Sequence, residues 1–144
     1  MKFDLSGKIA VVSGGSSGIG KAIAETLKKQ GAEVFIIDLN ENPSNKKLGI
    51  HTFIADITQA NKLNIALSSI PSNIDILINN AGIGFVGNIE QTEEKDFERL
   101  YQVNVKGVFN CIKAILPRMK KNGGVIVNMA SIVSHVAVRD RLAY

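Results

Sequence analysis

Residues 9–38 read IAVVSGGSSGIGKAIAETLKKQGAEVFIID and contain the clearest structural pattern in the chain. Residues 9–12 form a short continuous apolar run, which is typical of a strand buried on both faces of a parallel sheet. In residues 19–30 apolar side chains recur at helical spacing, and Gly31 is a good helix terminator. A second apolar run covers residues 34–38. The stretch therefore predicts a strand, a helix and a second strand.

The alternation continues along the rest of the chain, with further strands predicted at 53–55, 74–79 and 125–129. Between the last two, a long helix is predicted from Thr92, as its cap, to about residue 121, before Gly123 and Gly124. Strands that alternate with helices predict an α/β fold, a Rossmann-like doubly wound parallel sheet with helices on both faces. In such sheets ligands bind beyond the carboxyl ends of the strands.

Composition favours a single globular domain over residues 1–144, with 45% hydrophobic and 21% charged residues. The net charge of +4 comes from scattered basic residues, so nucleic-acid binding is not expected. No apolar run approaches membrane-spanning length, and residues 1–5 contain Asp4 and show no targeting segment. Cys111 is the only cysteine, which excludes an internal disulfide. We expect a cytoplasmic protein, and we assign no metal ligands.

A glycine-rich loop joins the first strand to the first helix. Glycine lets the backbone approach a diphosphate, and the helix N-terminus supplies free N–H groups and a positive dipole end. Three glycines in such a turn could also reflect tight packing alone. The order of strand, loop and helix favours a nucleotide site. The candidate phosphate-binding residues are Gly14, Ser16, Ser17, Gly18, Ile19 and Gly20.

Asp38 ends the second strand, eighteen residues after Gly20. A carboxylate at this point can accept hydrogen bonds from both hydroxyls of an adenosine ribose. It would also repel a 2′-phosphate, and the neighbouring Leu39 offers no guanidinium, so NAD is preferred over NADP. The alternative is a helix cap or a solvated turn acid.

The spacing of Gly14, Gly18 and Gly20 resembles that of the short-chain dehydrogenase/reductase (SDR) family, classical type. Further motifs agree in order: Asp56 after the third strand, NNAG at 79–82 after the fourth, Asn104 in the long helix, Ser131 after the fifth strand, and Tyr144 thirteen residues later. The resemblance covers essentially the whole chain. It implies an NAD(H)-dependent oxidoreductase that transfers a hydride between the nicotinamide and an alcohol or carbonyl substrate.

The resemblance also implies roles for individual residues. Cofactor contacts are implied for Asp56, Ile57, Asn80, Ala81 and Gly82, and catalytic roles for Asn104, Ser131 and Tyr144. Ser131 can donate a hydrogen bond to the substrate oxygen, and a tyrosine phenol can exchange a proton with it. Taken singly, such a serine is usually a helix cap and such a tyrosine usually packs.

Asn104 falls on an apolar stripe that we expect to face the core. The stripe consists of Phe97, Leu100, Val108, Cys111 and Ile115. A buried amide needs hydrogen-bond partners. It is either satisfied by a neighbouring loop or, as the resemblance implies, sits at a helix irregularity and holds a water in a proton relay.

A phenol with an ordinary pKa of roughly 10 needs a nearby cation to act as a base near neutral pH. The family supplies a lysine one helical turn after the tyrosine, whereas this sequence stops at Tyr144. We therefore expect these 144 residues to be part of a longer chain of roughly 240 to 260 residues. By themselves they should be weakly active or inactive. An apolar face on strand five would favour association. The family resemblance implies a homo-oligomer, a dimer or tetramer.

Two basic residues are weaker candidates for substrate contact. Arg141 would lie one turn before Tyr144 if the segment is helical, where it could meet a carboxylate, although a solvated or interfacial arginine is the plainer interpretation. His135 could line the pocket or lie in a surface loop. Two other functions stay open: a nucleotide-binding module without catalysis, and an interaction protein that shares the fold.

Overall fold

A computed structural model describes residues 3–144, so Met1 and Lys2 of the predicted domain lie outside the described residues. It contains one sheet of five parallel strands in the order β3-β2-β1-β4-β5. The predicted Rossmann-like parallel sheet is confirmed. The strands are β1 (Ile9–Ser13), β2 (Glu33–Asp38), β3 (His51–Ile54), β4 (Ile76–Asn79) and β5 (Val125–Asn128).

The helices connect these strands, and two of them, α2 and α3, were not individually predicted. They are α1 (Gly18–Lys29), α2 (Pro43–Lys47), α3 (Ala60–Ser68), α4 (Glu94–Tyr101) and α5 (Val108–Met119). A π-helical segment, Gln102–Gly107, joins α4 to α5, and a short 3-10 helix covers Ile132–Ser134. No helix within residues 3–144 is long and apolar enough to cross a membrane.

The prediction that Thr92 caps the long helix is wrong. Glu93 is the cap, and its N–H donates to the Asp96 Oδ2 at 3.3 Å. The Thr92 hydroxyl instead donates to the Asn88 carbonyl oxygen at 2.6 Å. The helix also ends at Met119, two residues before the predicted end.

The core lies on both faces of the sheet because successive strand side chains point to opposite sides. One face packs against α1 and the other against α3 and α5. The α1 side contains Ala10, Val12, Ala24, Val34 and Ile36; the other side contains Val11, Phe35, Ile37, Leu63, Leu67, Leu77, Cys111 and Ile115. Burial raises the pKa of the Cys111 thiol to about 12, so it is not a reactive thiolate near neutral pH.

The strand order reverses beside β1, which pairs with both β2 and β4. In the register, Ser13 lies opposite Ile37 on one side and Asn79 on the other, so these strands end at the same edge. Asp75 ties the opposite ends of β1 and β4 together: its carboxylate accepts from the Ile9 N–H at 2.9 Å and from the Lys8 ammonium at 3.1 Å. The crevice beyond the strand ends is the expected ligand position in such a sheet.

Candidate functional site

An open cleft of about 860 Å³ lies beyond the carboxyl ends of β1 to β4. It brings together most of the residues predicted to bind a cofactor, although they come from four separate loops. Its lining includes Gly14, Ser17, Gly18, Ile19, Asp38, Asp56, Ile57, Asn80, Ala81 and Gly82. The other two predicted residues are buried and do not line the cleft: Ser16 lies in the same loop, and Gly20 lies in the first turn of α1.

The three glycines of the loop are required for different reasons. At Gly14 a Cβ would lie 2.7 Å from the Ala81 Cα, and at Gly20 it would overlap the Gly14 carbonyl oxygen and the Asn80 amide. At Gly18 a Cβ meets no heavy atom of the described chain within 4 Å, but the backbone has a φ of +53°, which favours glycine. Packing explains Gly20, backbone conformation explains Gly18, and both explain Gly14, whose φ is +66°.

The helix α1 begins at Gly18, so the free backbone N–H groups of its first turn lie directly after the glycine-rich loop. Within the described residues, the Ser17 side chain makes no capping hydrogen bond to this turn. The N-terminal amides and the positive end of the helix dipole are thus available to an anion in the cleft.

Asp38 is held at the mouth of the cleft by two backbone groups. Its Oδ2 accepts from the Ser16 N–H at 2.9 Å, and its Oδ1 accepts from the Asn40 N–H at 3.1 Å. The bond from the Asn40 N–H is a local turn contact, which is what the alternative interpretation of Asp38 as a turn acid predicts. Because an ionised carboxylate has about four acceptor positions, two positions remain for ligand hydroxyls.

Asp56 and Ile57 follow β3 and form another wall of the cleft. Partial burial raises the pKa of the Asp56 carboxyl, but hydrogen bonds from Thr58 and Gln59 outweigh it and leave the pKa below its usual value. This wall is anchored by Asn110 on α5, whose Nδ2 donates to the Ile57 carbonyl at 2.8 Å and to the Thr58 carbonyl at 3.3 Å.

Sequence reasoning missed Asn110 and Ser13. The Ser13 hydroxyl accepts from the N–H groups of Asn80 and Ala81 at 3.1 and 3.2 Å, and the Asn80 Nδ2 donates to the Gly14 carbonyl at 3.0 Å. These bonds lock the β4 loop against the glycine loop. A polar residue on the buried face of a helix or at the end of a buried strand was the available signal.

A second cavity of about 350 Å³ adjoins the cleft, and Asn104, Ser131 and Tyr144 all line it. Ile19 and residues 80–83 line both spaces, so the cleft and the cavity share a wall. The Ser131 hydroxyl accepts from the Val133 N–H at 3.4 Å, which is the cap role expected of an isolated serine. Tyr144 is 45% exposed.

Asn104 lies in the π-helical segment, at the helix irregularity that the family resemblance implied. Its Oδ1 accepts from the Ile83 N–H and its Nδ2 donates to the Ile83 carbonyl, both at 2.9 Å. The carboxamide is therefore satisfied by a neighbouring loop, as the structural alternative predicted.

The predicted core stripe is wrong at Phe97, which is 59% exposed, while Leu100, Cys111 and Ile115 are buried. Phe97 lies in α4 together with the buried Leu100, ahead of the π-helical segment Gln102–Gly107, so that segment does not account for its exposure.

The structure does not bring the two weaker substrate candidates into the Ser131 cavity. Arg141 donates from Nη1 to the Phe85 carbonyl at 3.0 Å and lines a separate cavity of about 360 Å³. His135 is exposed at the end of the 3-10 helix, so the surface-loop interpretation fits its position. The segment from Arg141 to Tyr144 is a turn and not a helix.

Comparison with known proteins gives one consistent family. The family model described as short chain dehydrogenase matches residues 8–144. Dehydrogenase/reductase SDR family member 6 of Danio rerio is 38% identical over 97% of this chain and 59% of its own length. An uncharacterized oxidoreductase of Thermotoga maritima is 36% identical over 98% and 60%. An NAD-dependent glycerol dehydrogenase of Listeria innocua is 34% identical over 99% and 59%.

The chain thus spans about 60% of the length of these curated relatives. The matched residues contain the whole cleft, the cavity with Ser131 and Tyr144, and all five strands. On this match and the parallel sheet, the chain belongs to the short-chain dehydrogenase family.

Proposed function

We propose that the cleft binds NAD(H) and that the chain carries the site of an oxidoreductase acting on an alcohol or carbonyl. The observation that carries this proposal is the shared wall at residues 80–83, between the Asp38 cleft and the cavity of Ser131 and Tyr144. A dinucleotide bound along this wall would have its adenosine in the cleft and its nicotinamide in the second cavity. The bound cofactor supplies or accepts the hydride.

The residues of the cleft fit a dinucleotide. The α1 N-terminus at Gly18 offers uncapped amides to the diphosphate. The two open acceptor positions of Asp38 suit the two ribose hydroxyls. Asp56 and Ile57 form the wall on which the adenine rests.

NAD is the proposed form of the cofactor, because the Asp38 carboxylate would repel a 2′-phosphate. The name of the Listeria relative, an NAD-dependent glycerol dehydrogenase, supports this choice.

The chemistry in the second cavity is assigned to Ser131 and Tyr144. The Ser131 hydroxyl donates to the substrate oxygen and stabilises the charge that develops there, while the Tyr144 phenol gives or takes the proton on that oxygen. Asn104 keeps its proposed relay role, although its carboxamide is already bound to Ile83.

The substrate class stays broad: a small molecule with an alcohol or carbonyl group. Related proteins carry the names D-threitol dehydrogenase and 3-beta-hydroxysteroid dehydrogenase, which differ widely in substrate size. We also propose a homo-oligomer without nucleic-acid or membrane partners, located in the cytoplasm.

A nucleotide-binding module without catalysis is the second candidate. One observation favours it: Tyr144 is half-exposed. Such a module would bind the cofactor at the same site as the proposed oxidoreductase, but it would not convert a substrate.

Titration of the chain with NADH, followed by its fluorescence, tests the cofactor site. We expect saturable binding that Asp38→Ala weakens by about a hundredfold or more, since two hydrogen bonds to a charged acceptor are lost. Tyr144→Phe, which changes only the second cavity, should retain the parent NADH affinity. An absence of binding, or equal affinity of the parent and Asp38→Ala, contradicts the proposal.

Turnover separates the two candidates. The chain is incubated with NAD and, in turn, with sugars, steroids, hydroxy acids and acyl thioesters, and absorbance of NADH is recorded. Any turnover that Tyr144→Phe abolishes supports the oxidoreductase. NADH binding without turnover of any of these compounds supports the binding module.

A further inference from the structure

Asn42, a half-buried residue at the start of α2, reaches back to the glycine loop. Its Nδ2 donates to the Ser16 carbonyl oxygen at 2.8 Å. Its Oδ1 accepts from the Ser44 N–H at 3.0 Å and from the Ser44 hydroxyl at 2.8 Å. One carboxamide therefore caps α2 and holds the glycine loop at the same time.

Ser16 is also the residue that holds Asp38 in place. Its N–H donates to the Asp38 Oδ2 at 2.9 Å, and the residue is only 5% exposed. The end of β2 and the segment after it thus hold Ser16 at both backbone polar groups, the N–H through Asp38 and the carbonyl through Asn42. Without the Asn42 bond, Ser16 would keep only the bond from its N–H to Asp38.

We propose that Asn42 is a positioning residue for cofactor selection. By holding the Ser16 carbonyl, it keeps the Ser16 N–H on Asp38, and the carboxylate then stays where it accepts ribose hydroxyls and repels a 2′-phosphate. The inference rests on the proposed function of the cleft. It adds a residue that, in the described part of the chain, does not line the cleft and acts through Ser16.

Asn42→Ser separates this role from helix capping. Serine is as good an N-cap as asparagine, but its short side chain cannot cap α2 and reach the Ser16 carbonyl together. Asn42→Asp provides a second variant, since it keeps the acceptor for Ser44 and loses the donor for Ser16. The matched control is Ser44→Ala, which removes a hydroxyl bond at the same cap and leaves the Ser16 contact intact.

The measurement is the dissociation constant of NADH and of NADPH for each folded variant, with folding checked by circular dichroism. For Asn42→Ser we expect the NADH constant to rise about three- to tenfold, the effect of losing one hydrogen bond. The dissociation constant of NADPH should stay unchanged or fall. The ratio of the NADPH constant to the NADH constant, which measures the preference for NADH, should therefore become smaller. Asn42→Asp should also weaken NADH, and Ser44→Ala should keep the parent preference.

A role in capping alone would move both constants together or neither, and that result for Asn42→Ser overturns the inference. In that case the parent still binds NADH, and the proposed function stands. If the parent chain binds neither dinucleotide, the proposed function fails and this inference fails with it.

Discussion

Gly18 and Gly20 are two residues apart, yet substitution should affect them in different ways. A methyl at Gly20 would overlap the Gly14 carbonyl oxygen, a backbone atom that cannot move aside cheaply. We expect Gly20→Ala to lower the free energy of unfolding by about 3 kcal/mol, the upper range for overpacking. Chemical denaturation measures this loss.

At Gly18 the methyl meets no described protein atom, so the cost is the left-handed backbone. Gly18→Ala should lower the free energy of unfolding by only about 1 kcal/mol. Its larger effect should be on NADH binding, because the substitution lies where α1 presents its first amides. A Gly18→Ala protein that binds NADH like the parent would contradict the assignment of this loop to the diphosphate.

The site residues that could be predicted from sequence are those that follow a strand directly, such as Asp38 and Asp56. The rule that parallel strands end at one edge places them without any knowledge of side-chain contacts. Asn42 and Asn110 could not be found this way, and the bonding partners of Ser13, although it ends β1, could not be predicted either. Each bonds to backbone groups of a segment distant in the sequence, and these partners exist only in the folded chain.

Among the elements, the wall after β3 depends on α5 through the buried Asn110. Asn110→Ala would leave the Ile57 carbonyl without its 2.8 Å donor, and an unsatisfied buried polar group costs about 1–3 kcal/mol. We expect a loss of about 2 kcal/mol in the free energy of unfolding. Faster amide hydrogen exchange in residues 56–58 should accompany it. Unchanged exchange in that segment would show that α5 does not anchor this wall.

The strands β1 and β4 are joined at their start by Asp75. The Ile9 N–H, together with the Lys8 ammonium, holds the pKa of the Asp75 carboxyl below its usual value against the effect of partial burial. A depressed pKa contributes stability above the unfolded value of about 3.9, and this is lost as pH falls through the folded pKa. Asp75→Asn should therefore cost about 1 kcal/mol at pH 7 and almost nothing at low pH. A cost that does not change with pH would contradict this account.

The long helix shows where a sequence period fails at the scale of an element. Leu100 in α4 and Cys111 and Ile115 in α5 are buried as predicted, whereas Phe97 in α4 is exposed. Nothing in the spacing of apolar residues reveals the π segment between the two helices. Its presence at Asn104 agreed with the family resemblance.

For the whole molecule, the sequence predicts a parallel, doubly wound sheet but does not predict the order of its strands. β5 is one of the two edge strands of the described sheet, and its Val125 and Val127 are 57% and 39% exposed. An open apolar edge promotes pairing with another chain, and a lysine there opposes it. We expect concentration-dependent association of the chain, reduced in Val125→Lys, by light scattering coupled to gel filtration.

The matched control for association is Ile65→Lys on α3, because Ile65 is 71% exposed but lies outside β5. Equal effects of the two lysine variants would show that general surface polarity, and not the edge strand, governs association.

The most direct test of the central claim is an amide NMR titration of the isotope-labelled chain with NADH. The account predicts that the amides of Gly14, Gly18, Asp38, Asp56 and Gly82 shift together with one dissociation constant, while that of Gly123 does not move. Shifts confined to other residues, or no shifts at saturating NADH, would contradict a dinucleotide site in this cleft.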